Sequence, residues 1–165
     1  TNAARALEQV IPRISQVGFM AVSVRIPIPT ESLIILNVTF QSQLTPEGAS
    51  TITGEVINGL YGEEAAGRQK GNLVFSEQQN VPIDVTGMRA AVVIEGHETH
   101  TRTGFLGLDL RQVPGLDAAM VAKLDDPIAR VPVTHAKIFG WYDNEYGSYT
   151  NMLGDLTAHI ADRLD

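Results

Sequence analysis

The sequence predicts an α+β domain: a mixed, mostly antiparallel sheet with helices on one side. Three observations carry this. Stretches that alternate polar and branched apolar residues are interspersed with stretches of helical spacing. Two consecutive extended runs, Phe19–Ile28 and Leu33–Gln43, are separated by a short Pro-containing turn, and short connections favour antiparallel pairing. No strand is followed by the glycine pattern that opens a phosphate-cradling helix, since the clusters at Gly62–Gly71 and Gly104–Gly107 have the wrong spacing.

The elements follow in order. Thr1 or Asn2 can cap a first helix whose Ala3, Ala4, Leu7, Val10 and Ile11 recur at helical spacing, and Pro12 ends it. Phe19–Ile28 alternates as a strand up to Pro27 and Pro29. In Leu33–Gln43, Asn37, Thr39 and Gln41 alternate with Leu36, Val38 and Phe40, the pattern of a half-buried strand. Thr45-Pro46-Glu47 reads as a helix start, with Ile52, Val56, Ile57 and Leu60 as its stripe and Gly62–Gly71 as a loop beyond it. Leu73–Phe75, Ala91–Ile94 and Thr99–Thr103 are short strands, and Pro114–Ala122 suggests a short helix. Val131–Gly140 is a strand interrupted by Pro132. Gly147 or Ser148 starts a last helix, with Met152, Leu153, Leu156, Ile160 and Leu164 as its buried stripe.

Composition narrows the function. With 165 residues, 44% of them apolar, one domain with a real core is expected over 1–165. A net charge of −7 argues against a broad nucleic-acid surface. Leu33–Leu36, the strongest apolar run, is too short to span a bilayer, and no signal-peptide pattern opens the chain. The absence of cysteine excludes disulfides, thiolate metal sites and thiol catalysis on this chain, and fits a reducing, cytoplasmic setting. His97 and His100 are three apart on an expected strand, so they point to opposite faces and no metal site is expected.

One segment is specific: Trp141-Tyr142-Asp143-Asn144-Glu145-Tyr146-Gly147-Ser148-Tyr149-Thr150-Asn151. It resembles the Trp-Tyr-Asp-Asn-Glu-aromatic-Gly-Tyr-Ser-Asn stretch of phosphorylating glyceraldehyde-3-phosphate dehydrogenases. Thr1–Leu7 with Val10-Ile11-Pro12, Gly18–Pro27, Leu33–Phe40 and Ala136–Glu145 are similar to further landmarks of that family, in the family's order. The resemblance covers the two ends of the chain well and the middle loosely. It implies the C-terminal catalytic domain of such an enzyme. The Rossmann NAD domain, the catalytic Cys and the His that activates it would then precede Thr1, and the start at Thr1-Asn2-Ala3, without Met, reads as a piece of something longer.

The resemblance implies roles for single residues. Arg25 matches the arginine that binds substrate and inorganic phosphate, and a guanidinium offers phosphate a fixed fork of donors. Thr1 and Asn2 match the Thr-Gly pair of the other phosphate position, with Asn2 in place of the glycine. Asn144 matches the asparagine that holds the nicotinamide carboxamide of NAD or NADP, an amide pairing with an amide. Tyr149 matches the tyrosine near the nicotinamide if Ser148 is a one-residue insertion; ordinary packing is the equal alternative. Gly104–Arg130 looks longer than the family's connection. Partners implied are a sugar phosphate, inorganic phosphate and further copies of the chain as a dimer or tetramer, because the family's sheet packs against its mate. An erythrose-4-phosphate dehydrogenase would share these landmarks, and a non-catalytic assembly or scaffold domain is the rival from another class.

Overall fold

The computed structural model describes residues 3–164. It is an α+β structure in which a five-stranded mixed sheet is built around one long strand. The helices are α1 (Ala3–Val10), α2 (Ile14–Val17), α3 (Gly54–Ala66), α4 (Pro82–Val85), α5 (Ala118–Val121) and α6 (Ser148–Ala161). The strands are β1 (Glu31–Gln41), β2 (Leu73–Ser76), β3 (Val92–Glu95), β4 (His100–Asp109) and β5 (Ile128–Asp143).

β5 is the spine. β1 runs antiparallel along one edge, from Glu31 opposite Asp143 to Gln41 opposite Val133. The other edge is shared: β4 pairs with residues 128–137, and β3 pairs antiparallel at Trp141 and Gly140. β2 joins β3 in the one parallel pairing. Pro132 sits inside β5 without breaking it. Its carbonyl accepts from Ser42 N at 3.0 Å, just past the end of β1. A residue's N and C=O point to the same edge, so the N–H that proline lacks falls where the β1 ladder has stopped.

Register assigns the two faces. On one, Ala136 and Ile138 of β5 are buried with Ile94 and with Ile57 of α3, and Phe40, Ile52, Tyr61, Leu73, Phe75 and Val92 pack around them. Thr134, fully buried, closes the end of this core by contacting the hydroxyls of Ser42 (2.6 Å), Ser50 (2.8 Å) and Thr103 (2.8 Å). On the opposite face Leu33 and Ile35 are 36% and 51% exposed. They share it with Trp141 and Phe139, their partners across β5.

Four sequence expectations are corrected. Phe19–Ile28 forms no strand and pairs with nothing among the described residues, and β1 takes β5 as its partner instead of that run. Alternation specifies a strand-like backbone, but a ladder also needs a free edge facing it. The third helix begins at Gly54, not at Pro46, because Thr53 is its cap and accepts from Val56 N at 3.2 Å, while Thr45–Ala49 closes a turn. It then runs to Ala66, through part of the expected loop. Gly104–Arg130 is not a long loop: β4 continues to Asp109, β5 opens at Ile128, and only the chain between them, with α5, is connection. Finally, Leu153, Leu156 and Ile160 of α6, and Leu164 beyond its end, are exposed, from 50% to 82%, where a buried stripe was expected.

Candidate functional site

The densest polar construction lies where β5 turns into α6. Asp143 ends β5 fully buried. Its Oδ1 accepts from Glu145 N (2.8 Å) and Tyr146 N (3.1 Å), and its Oδ2 from Gly87 N (2.7 Å). Burial works against the charge, but these three backbone donors outweigh it and hold the carboxyl below its ordinary value. Asp143 N donates to Ser148 Oγ at 2.9 Å, and Ser148 N donates to Met88 O at 2.7 Å. Ser148 has φ of 43°, a left-handed conformation that its two hydrogen bonds offset. Gly147 lies against the 87–88 backbone: a Cβ there would collide with Met88 O and stand 3.0 Å from Met88 N. Thus residues 86–88 and 143–148 fold as one clamp.

Asn144 projects from this clamp onto the start of β1. Its backbone N donates to Thr30 O at 2.8 Å. Its Nδ2 donates to Thr30 O (2.8 Å) and to Ser32 Oγ (2.5 Å). Both amide hydrogens are engaged, so the side chain is oriented and Oδ1 is left as the acceptor for a partner. Beside it, Glu31 is buried; it accepts from Thr86 Oγ1 and from Thr30 Oγ1 at 2.8 Å, and these hydroxyls, Thr86 first, lower its pKa.

The other sequence-derived residues fall around this point unevenly. Tyr149 opens α6, half-exposed, with its ring centroid 6.4 Å from that of Tyr142. The Ser148 taken as an insertion is absorbed by the left-handed residue at the helix start, so the strand before it keeps its register. Arg25 is exposed on the unpaired run and makes no hydrogen bond or ion pair among the described residues. Five residues separate it from Thr30, which bounds its Cα to within about 18 Å of the Asn144 anchor. Thr1 and Asn2 lie outside the described residues. Among the described residues no group of three or more His, Asp or Glu could hold a metal ion.

Sequence reading missed Glu31, Ser32, Thr86 and Asp143 as members of this cluster. Asp143 alone carried a local signal, an acidic residue two and three places before the N–H groups it caps. Glu31 and Ser32 meet it only through the β1–β5 pairing, and Thr86 arrives from the chain after α4.

An α+β domain with a clamped strand-to-helix turn that fixes an asparagine amide against the start of β1 is the class this geometry defines. Comparison with known proteins makes it specific. Over 164 residues, 99% of the chain, it is 29% identical to glyceraldehyde-3-phosphate dehydrogenase 1 of Streptomyces avermitilis. It is 28% identical to that organism's glyceraldehyde-3-phosphate dehydrogenase 2, and 27% identical over 161 residues to glyceraldehyde-3-phosphate dehydrogenase 1 of Bacillus subtilis. The chain spans 36–37% of the length of these relatives. No family model matches it. The chain therefore resembles, from end to end, the C-terminal part of glyceraldehyde-3-phosphate dehydrogenases.

Proposed function

We propose that this chain is the phosphate- and nicotinamide-side domain of an NAD(P)-dependent, phosphorylating glyceraldehyde-3-phosphate dehydrogenase. In this reading the chain is a single domain over 1–165, and the Rossmann domain, the thiolate and its activating histidine lie on the rest of a longer protein. The observation that carries it is the Asn144 amide: with Nδ2 fixed by Thr30 and Ser32, Oδ1 is the atom left to accept, as a carboxamide N–H requires. The nicotinamide would accept a hydride from the substrate. The chain's own residues bind and orient: Asn144 holds the carboxamide, Tyr149 lies beside the ring, and Arg25, with Thr1 and Asn2, binds sugar phosphate and inorganic phosphate. The parent protein oxidises an aldehyde phosphate through a cysteine thioester. Further copies assemble through the face opposite the Ala136–Ile138 core, where Leu33, Ile35, Phe139 and Trp141 form an apolar stretch.

The test has two arms. The longer protein, assayed with glyceraldehyde 3-phosphate, NAD and phosphate, should turn over, and Asn144→Ala in it should raise KM for NAD by about tenfold, the loss of one hydrogen bond of about 1.4 kcal/mol. The 165-residue chain alone, having no cysteine, should show none. Turnover by the chain alone overturns the reading. Preference for erythrose 4-phosphate would move it to the sister activity, and an inactive longer protein would leave a scaffold.

A further inference from the structure

A groove of about 350 Å³ crosses the face of the sheet opposite the Ala136–Ile138 core. Its geometry follows from the register. Asn37, Lys137 and His100 stand side by side on β1, β5 and β4, and two residues along the strands Thr39, His135 and Arg102 form a second row. Paired residues share a face, so these six side chains make two parallel banks, with the backbone of Val38, Ala136 and Thr101 as the floor. The side chains of Ala136 and Val38 turn to the other face, where Ala136 is in the core. All six bank residues other than those tied below are open to solvent, and no carboxylate lines the groove.

We propose that this groove binds a phosphate group, separately from the Arg25 position. Banks two residues apart on a strand are about 7 Å from each other, enough for one tetrahedral oxyanion to meet donors from both sides, and three strands give the groove about 10 Å of length. Lys137 and Arg102 bring permanent positive charge from opposite banks. His135 is fixed by Thr39, whose Oγ1 lies 2.9 Å from Nδ1, so Nε2 is the free ring nitrogen. His100 completes the ring; Glu98, 3.6 Å from its Nε2, is the one carboxylate in ion-pair reach of these groups among the described residues. Asn37 and Thr39 add uncharged donors. In a chain of net charge −7 with twelve Lys and Arg in 165 residues, two of them and two of the four histidines converge on this groove. That concentration against the overall charge is what an oxyanion site requires and what a merely solvated face does not produce. The groove lies mid-face, between exposed Leu33 and Ile35 toward one end and exposed Leu106 and Leu108 toward the other, so phosphate binding and assembly through this face exclude each other and the titration is made on the chain while it is monomeric.

The histidines report on it directly. Titrating the 165-residue chain with inorganic phosphate, and separately with a phosphomonoester such as glycerol phosphate, should shift the NMR ring signals of His100 and His135 saturably while those of His97 and His159 stay still. Chloride at equal ionic strength should not do this. Arg102→Gln combined with Lys137→Gln should weaken binding at least tenfold, whereas Arg25→Gln should leave it unchanged. Loss of the shifts in Arg25→Gln would assign them to the Arg25 position and overturn the proposal. So would no shift in the unaltered chain, uniform shifts of all four histidines, or full binding by the double variant.

Discussion

Two regions that meet at Thr30, just before β1, contrast sharply. The clamp of residues 143–148 has its carboxylate, hydroxyl and backbone groups engaged with residues 30–32 and 86–88. The run of 18–29, on the other side of Thr30, holds a single internal backbone hydrogen bond, Ile28 N to Ile26 O at 2.8 Å. It exposes Met20, Val22 and Val24 by more than 80% each. The first region is held by hydrogen bonds from three parts of the chain. The second has the apolar alternation of a strand and nothing to pair with among the described residues.

Changes in the clamp should be the largest. Asp143→Ala takes the acceptor from three backbone N–H groups and should cost about 3 kcal/mol, read as a lowered urea midpoint. Asp143→Asn tests the charge. Because the folded carboxyl titrates below its ordinary value of 3.8, its contribution is present above that value and is lost as pH falls through the lower folded pKa. The Asn variant should therefore be less stable at neutral pH and lose less on acidification; an acid limb parallel to that of the unaltered chain would remove the carboxylate from the account. Gly147→Ala should cost about 1–3 kcal/mol, since the Met88 carbonyl is backbone and cannot swing aside. Next, Leu33→Asp with Ile35→Asp should abolish self-association, measured by sedimentation equilibrium over a wide concentration range; an unaltered chain that stays monomeric throughout would reject the shared face. Smallest, Val22→Thr and Val24→Thr should move stability by less than about 0.5 kcal/mol in this chain. A larger loss would show that the 18–29 run is packed after all and erase the contrast.

How much of this was readable depends on the range of the forces involved. β1, β5 and α6 were legible because alternation and helical spacing are local. The third helix was misplaced because Thr45-Pro46 and Thr53 are both acceptable starts, and only the turn that brings Leu44 opposite Ser50 chooses between them. The second half of β4 was missed because Gly104 and Gly107 read as loop residues, although opposite Val133 and Arg130 they lie within a ladder. At the candidate site, resemblance pointed to Asn144, but what orients its amide is Thr30 and Ser32, more than a hundred positions away. No spacing rule reaches that far.

The pairing of β1 with β5 also sets a schedule for folding. Glu31 must meet Asp143, so the longest ladder in the sheet closes across nearly the whole chain, whereas β4 and β5 can zip locally as a hairpin. Long-range closure of this kind is slow. On a ribosome β1 emerges early, and its Leu33–Leu36 run stays without a neighbour until some hundred further residues are made, at about 5–20 residues per second. For that interval of several seconds this segment is a natural substrate for a holding chaperone, and the rate of elongation sets its exposure.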